Sequence, residues 1–351
     1  MSITVKDVAR EAGVSRTTVS NVFNRRTKYS EDTRQAVLEA ANRLGYKPNL
    51  AAKSLITNQS QLIGLILPSY VQPNALTNTP FYNTIMDGVY SVLQDETYDL
   101  LISCVPSRAR LPLVSDWLDT RNVDGVLALG EFDDSFLQQL DAKSIPVVLV
   151  DNYQKGFPNF SYINSDDETG GYLAARKLVE RGYRKIAVAT VLTGSLKNSP
   201  LMRKRCEGYR RAMQEAGLPE TVIELTGIPF EAGKQLGAQL LSQGFEAVFC
   251  TEDMLAVGVL HHLLEQGVSA GREFGLVGFD NFNIAQQVHP ELTTIDQNIY
   301  EKGQIAAQTL LEIMKEKGTR KNGENHLAAA KYGPPGTRVI LPVKLVERET
   351  A

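Results

Sequence analysis

The chain of 351 residues is 43% hydrophobic and 22% charged with a formal net charge of −3, which suits a globular protein too long for one ordinary core. No apolar run approaches the roughly 18 residues that a membrane span needs, so no membrane partner is expected. Cys104, Cys206 and Cys250 are scattered and odd in number, which argues against a disulfide framework and for reduced thiols in a cytoplasm, each read as a small core residue.

The opening Met-Ser-Ile-Thr-Val-Lys-Asp has no apolar h-region, so export is not expected. Thr4 and Asp7 form a capping box, the Thr4 hydroxyl accepting the Asp7 N–H while the Asp7 carboxylate reaches back to the Thr4 N–H, and a first helix starts at Val5. Val8, Ala9 and Ala12 share one face of it, and Ala9 is small enough to let a second helix cross closely. Gly13 supplies the positive φ of a tight turn, and Ser15 caps the second helix. Val19, Val22 and Phe23 form its inner stripe, leaving Arg16, Thr17, Ser20 and Asn21 outside. A third helix opens at Ser30, with Glu31 and Asp32 on the positive end of its dipole. Val37, Ala40, Ala41 and Leu44 are its apolar stripe, and Gly45 ends it. Residues 1–58 hold ten Lys/Arg against five acids, a net +5 that leaves −8 on the remainder. A basic head on an acidic body is the electrostatic footprint of a nucleic-acid binder tethered to another domain. Pro48 and Asn49 then open a helix through Leu55 that is too short to hold in water by itself.

From Leu62 the pattern alternates strand and helix. Leu62 to Leu67 is an apolar run of buried parallel-strand type, followed by a helix from about Phe81 to Gln94. Further strands are expected at Leu100 to Cys104, Val126 to Leu129, Val147 to Val150, Ile186 to Thr190, Ala247 to Cys250 and Leu276 to Phe279. Helices are expected at Asp167 to Arg181, Arg205 to Glu215, Phe230 to Gln243 and Met254 to Glu265. The alternation defines an α/β fold with doubly wound parallel sheets, which bind ligands at the carboxyl ends of their strands. Enzyme motifs are missing. Gly227 to Gln235 fails the P-loop spacing and reads as a loop and helix start, no Gly-x-Ser-x-Gly elbow is present, and adjacent His261 and His262 diverge on a helix. No cofactor or metal is implied, and the chain is read as a non-enzyme.

Val5-Lys6-Asp7-Val8-Ala9-Arg10-Glu11-Ala12-Gly13-Val14-Ser15, Thr18-Val19-Ser20-Asn21-Val22-Phe23-Asn24, Leu44 to Asn49 and Ala52-Lys53-Ser54-Leu55 together resemble the headpiece and linker of the LacI/GalR family of bacterial repressors. The resemblance continues in Ile63 to Ile66, Pro80-Phe81-Tyr82, Val123 to Val126, Glu207-Gly208-Tyr209, Val277 to Asp280 and Leu292 to Ile295. It implies a helix-turn-helix headpiece over 1–47, a hinge helix over 48–58, and an effector-binding and dimerisation core over 59–351. In that core, two subdomains exchange strands in the type I periplasmic-binding-protein architecture.

By position in the family motif, Arg16, Thr17 and Asn21 read bases: Arg16 a guanine, Thr17 a thymine methyl, Asn21 an adenine edge or a phosphate. Thr4, Ser15, Thr18, Ser20 and Asn24 match phosphate contacts. The resemblance places the hinge in the minor groove, with Ala52 along it and Leu55 wedged between base steps, which implies a pseudo-palindromic double-stranded operator and a homodimer. With no leucine heptad after Arg348, a dimer is expected rather than a tetramer. Positions matching effector contacts are Phe81, Tyr82, Asp151, Arg205, Glu252 and Asp280, with carboxylates and a guanidinium for hydroxyls and an aromatic face for a sugar ring.

Two features depart from the family. Glu252 stands where Asn is common, and Ser69 to Thr79 is longer than the usual loop. Glu252 with Asp151 and Asp280 suits a polyol or an amine-bearing ligand, and a sugar is the first expectation. The expected function is a transcriptional regulator, a repressor, whose operator affinity a small effector controls. A secreted solute-binding protein or a sugar-processing enzyme is the alternative.

Overall fold

The computed structural model describes residues 3–24, 29–46, 60–68, 80–96, 98–104, 118, 123–191, 199–322, 334 and 336–351, and the chain divides into two compact units, Met1–Gln61 and Leu62–Ala351. The expected hinge residues Ala52 and Leu55 and the loop Ser69 to Thr79 lie outside the described residues.

In the first unit, α1 (Val5–Glu11), α2 (Arg16–Asn24) and α3 (Glu31–Leu44) pack around Val8, Ala9, Val19, Val22, Val37, Ala40 and Ala41, the stripes that periodicity marks. The turn between α1 and α2 closes on Gly13 at φ 65°, with the Val14 N–H on the Ala9 carbonyl at 3.0 Å. Ser15 caps α2 by accepting the Thr18 N–H at 3.0 Å, and Ser30 caps α3 by accepting that of Thr33 at 3.3 Å. The expected capping box is present at α1, and the Thr4 hydroxyl also lies 2.7 Å from Asp7 Oδ2, the oxygen that takes the Thr4 N–H at 3.0 Å.

The second unit is built on two six-stranded sheets. Its strands and helices run β1 (Leu62–Leu67), α4 (Pro80–Leu93), β2 (Asp99–Cys104), β3 (Gly125–Leu129), α5 (Asp134–Ala142), β4 (Val147–Val150), β5 (Ser161–Ser165) and α6 (Asp167–Glu180). They continue as β6 (Ile186–Val191), α7 (Pro200–Glu215), β7 (Val222–Leu225), α8 (Pro229–Ser242), β8 (Ala247–Cys250), α9 (Asp253–Glu265), β9 (Gly275–Asp280) and α10 (Ile284–Gln287). Last come β10 (Thr293–Asp296), α11 (Ile299–Asn322), β11 (Arg338–Leu341) and β12 (Lys344–Val346).

The first sheet has the order β11-β5-β4-β3-β1-β2 and the second β12-β10-β9-β8-β6-β7. All pairings are parallel except β10 with β12. Position by position the two orders match, so β3 corresponds to β8, β4 to β9 and β5 to β10. Strands β3, β4, β6, β8 and β9 are buried along their whole length, which is why they read as largely apolar runs rather than alternations.

The chain crosses between the sheets three times. After β5 of the first sheet it enters α6, which packs on Phe279 and Ile295 of the second. After β10 of the second it enters α11, whose Ile305, Ala306 and Leu310 join the core of the first. The third crossing joins β11 to β12. Helices α6 and α7 approach through glycines: a Cβ at Gly171 would strike the Arg205 carbonyl oxygen, and one at Gly208 the Glu168 carbonyl oxygen.

Two readings need correction. Cys104 is exposed rather than a core residue, because β2 is an edge strand whose alternate residues face out. Helix α7 starts at Pro200 behind the Ser199 cap, a full turn before Arg205.

Candidate functional site

In the first unit the inner face of α2 is locked by Val19 and Val22, so register is fixed and the outward residues are set. Arg16, Thr17 and Ser20 are exposed there, while Ser15 and Thr18 share a hydroxyl contact of 2.9 Å at the helix start. Asn21 is placed otherwise than its spacing suggests. It is half-buried and its Nδ2 donates to the Tyr29 hydroxyl at 3.1 Å, tying α2 to the start of α3. Asn24 closes the helix. A guanidinium and two hydroxyls remain on the solvent face of the first turns, next to a helix N-terminus, a group suited to phosphates and to the edges of bases.

In the second unit the carboxyl ends of both sheets carry polar side chains, as the topology requires of a doubly wound fold. Asp151, directly after β4, and Asp280, closing β9, occupy corresponding positions, and both have positive φ, 53° and 116°. Non-glycine residues rarely hold such backbone, and where they do a binding or switching site is the common setting. Two residues beyond the ends of β3 and β8, again in correspondence, stand Glu131 and Glu252.

A chain of contacts runs from one sheet to the other through these groups. The Lys302 ammonium on α11, fully buried, donates to Asp151 Oδ1 at 2.7 Å and to Gln297 Oε1 at 2.6 Å. Gln297 Nε2 donates to Asp280 Oδ1 at 2.5 Å. Arg205, 3% exposed, stacks on the Phe279 ring at 3.6 Å, gives its Nε to Asp167 Oδ1 at 2.8 Å and its Nη1 to the Thr251 carbonyl at 2.6 Å, and lies 3.6 Å from Asp280. Tyr153 closes the circuit, its hydroxyl 2.6 Å from Asp167 Oδ2 and 2.7 Å from the Ser165 carbonyl. Glu131 reaches the start of α7, accepting from Ser199 Oγ at 3.0 Å and from the Leu201 N–H at 3.3 Å.

The carboxylates at the strand ends hold their protons unusually tightly. Loss of water around Glu252, reinforced by the Asp280 charge and opposed by Arg205, pushes its carboxyl up to about 8. Burial raises Asp280 to about 7 against the pull of Arg205 and the Gln297 bond. Asp151 is raised too, since burial outweighs the Lys302 charge. Because the folded values of Glu252 and Asp280 lie above the ordinary 4.5 and 3.8, their share of stability is complete at acid pH and is lost as pH climbs through about 7 and 8. The melting temperature of the full chain should therefore fall between pH 5 and pH 8.5, and Glu252→Gln should flatten that fall. An unchanged slope in the variant would remove Glu252 from the explanation.

Of the expected effector residues, Asp151, Arg205 and Asp280 belong to this one connected network, and Glu252 adjoins it at the start of α9. Phe81 flanks it, its ring centroid 5.7 Å from the Lys302 ammonium. Tyr82 packs edge-on to Phe81 but sits 9% exposed in the apolar core under α4, so of the aromatic pair Phe81 is the one beside the polar network. Glu131, Tyr153, Asp167, Gln297 and Lys302 were not anticipated. For Lys302 the signal was present: a lysine among Ile299, Ile305 and Ala306 on the apolar stripe of a helix needs a buried anion.

A helix-turn-helix unit with an exposed basic and hydroxylic face, joined to a two-sheet body with a polar network at its strand ends, defines a DNA-binding transcriptional regulator with a small-molecule site. The family pattern "Bacterial regulatory proteins, lacI family" matches residues 4–49, and that of a periplasmic binding protein-like domain matches residues 175–351. The chain is 34% identical over 325 residues to the ribose operon repressor of Haemophilus influenzae (strain ATCC 51907 / DSM 11121 / KW20 / Rd), covering 89% of this chain and 92% of that protein. Among solved structures it is similar to the lac repressor dimer bound to operator and the anti-inducer ONPF, with a TM-score of 0.81, 26% identity, and coverage of 100% of this chain and 99% of that one. It is also similar to the transcriptional regulator CelR in complex with cellobiose, with a TM-score of 0.70, 26% identity, and coverage of 99% and 100%. The chain belongs to the LacI family of bacterial regulatory proteins, and it is a regulator rather than an enzyme.

Proposed function

We propose that this protein is a cytoplasmic homodimeric repressor that grips a pseudo-palindromic operator and whose grip is set by a sugar held between the two sheets of the second unit. Residues 1–47 read the duplex, 48–58 form the hinge with Ala52 and Leu55 in the minor groove, and 59–351 bind effector and partner. The observation that carries the reading is the Asp151-Lys302-Gln297-Asp280 chain, which links the strand ends of the two sheets through groups suited to sugar hydroxyls. A ligand entering there must break or replace these bonds, and so changes how the sheets are held. Coupling of this kind is typically about 1–3 kcal/mol and acts equally in both directions. The cellobiose complex of CelR supports a carbohydrate as the effector class.

Arg16 and Thr17 are proposed to read bases, with Asn21 completing the set from its position on Tyr29, and Thr4, Ser15, Thr18, Ser20 and Asn24 to hold phosphates. The test starts from the full chain and a random duplex library. Selection should converge on a twofold-symmetric site, and Arg16→Ala should weaken binding to that site by about 1–3 kcal/mol, the cost of one lost bidentate base contact, while weakening scrambled duplex much less. Equal losses on both duplexes would make Arg16 a phosphate contact. Failure to select any symmetric site would end the operator reading.

A further inference from the structure

Resting on the sugar-cleft reading above, we infer that the effector is an amino sugar whose ammonium group seats between Glu252 and Asp280.

The charges at the strand ends do not balance. Lys302 is matched by Asp151 and Arg205 by Asp167, each through a direct bond of 2.7 or 2.8 Å. Asp280 shares Arg205 only at 3.6 Å and otherwise receives the neutral Gln297 amide. Asp253, one residue on from Glu252, is held by the Thr294 hydroxyl and the Phe282 N–H, with the charge of Arg348 on its own side. Glu131 is served by Ser199, Leu201 and the charge of Arg203 on the other side. Glu252 is left over: among the described residues its carboxylate receives no hydrogen bond and no ion pair, although it stands half-buried at the carboxyl end of β8 next to Asp280 and Arg205. A half-buried carboxylate without a partner is costly, which is why it holds its proton, and an arriving ammonium takes the place of that proton.

Hydrogen-bonding capacity points the same way. Two of the three Lys302 N–H groups, the Gln297 amide, two sides of the Arg205 guanidinium and the Tyr153 hydroxyl are already committed inside the protein. Besides the remaining N–H groups of Arg205, what the second sheet still offers is acceptors, of which Glu252 is the charged one. The Glu252 oxygens are joined by the hydroxyls of Thr190 and Thr251, which are 3% and 0% exposed and have no hydrogen-bond partner. Strand parity puts both threonines on the face of the second sheet that carries α6 and α7, the side from which Arg205 reaches the Thr251 carbonyl. Buried hydroxyls without partners are uncommon and are satisfied by something that fits against them. The occupant must therefore bring donors and positive charge at this end. An ammonium supplies three donors and one charge, a neutral hydroxyl supplies one donor, and a phosphate or carboxylate would face Glu252 and Asp280 unshielded. The remainder of the sugar would lie toward Phe81, whose ring adjoins the opposite end of the network beside Lys302.

The experiment uses the full chain at pH 6.5. Thermal shift and calorimetry compare glucosamine, galactosamine and mannosamine with glucose, galactose and mannose and with the corresponding 6-phosphates. The expected result is that at least one amino sugar binds at least tenfold tighter than its neutral parent, that no 6-phosphate binds, and that Glu252→Gln removes the tenfold preference. Because Gln keeps the shape of Glu, the variant should give the wild-type circular dichroism spectrum, which serves as the check that it is folded. If a neutral sugar binds as well as its amino counterpart, or if Glu252→Gln leaves the preference intact, the ammonium assignment is overturned while the sugar cleft stands. If no sugar of any kind binds, both are overturned.

Discussion

Lys302→Met is expected to destabilise the second unit by about 3–5 kcal/mol, the range observed when one member of a buried ion pair is removed. The methionine keeps most of the apolar stem of the lysine, so packing among Ile299, Ile305 and Ala306 is nearly preserved and little cavity opens. The loss is electrostatic: Asp151, 4% exposed, is left with its charge in the protein interior, and Gln297 loses the donor on its Oε1. Asp151 would then meet the cost by staying protonated, so the damage should grow as pH rises, since a raised folded value means stability lost toward alkaline pH. Adding Asp151→Asn should recover most of the loss, because the pair is then replaced by neutral groups and only the Gln297 bond is missing. Urea unfolding of wild type, the two single variants and the double variant gives the coupling between the sites directly. Additive effects of the two exchanges, or a single-variant loss below about 1 kcal/mol, would show that the pair is solvated and not a structural link.

Gly208→Ala should be among the most disruptive exchanges of one methyl group in the effector unit. A Cβ there strikes the Glu168 carbonyl oxygen and meets the Tyr172 amide nitrogen, both backbone atoms of α6 that cannot rotate away. The helices must part, which for overpacking in a tight core costs about 3 kcal/mol. Parting them also moves Arg205, less than one turn earlier on α7, away from Asp167 and from the Phe279 ring. Two losses are therefore expected together, a lower midpoint of thermal unfolding and weaker effector binding measured by calorimetry on the surviving folded protein. A variant with wild-type melting and affinity would mean that α6 and α7 are less tightly joined than their glycines indicate.

The DNA-reading unit was legible in the sequence because its signals are local. Capping residues, Gly13 and three apolar stripes each act within a few positions, and they define α1, α2 and α3 without reference to the remainder of the chain. Asn21 shows the limit of such reasoning: helical spacing puts it on the outer face, but Tyr29, eight residues further along the chain, captures its amide. In the second unit the apolar strands were readable, whereas β5, with Ser161, Asn164 and Ser165 all buried, was not, since Asn164 and Ser165 find their partners only in the finished fold. The 24-residue α11 escaped for a related reason. Lys302 interrupts its apolar stripe, and the carboxylate that makes that lysine tolerable lies 151 residues earlier in the chain. Asp151, Arg205 and Asp280 could be placed by strand ends and resemblance, but the circuit joining them through Gln297, Lys302, Asp167 and Tyr153 exists only in three dimensions.

The repeated passage of the backbone between the sheets bears on how the molecule is made. The sheet that begins at Leu62 receives its covering helix from Ile299–Asn322 and its outermost strand from Arg338–Leu341. A ribosome emitting this polypeptide therefore cannot complete that early lobe until Arg338–Leu341 has been translated, while the later lobe already holds most of its own parts. The second lobe too takes its edge strand, Lys344–Val346, from just beyond this stretch, but the nascent first lobe is the one that must wait longest, half clothed, for its closing pieces.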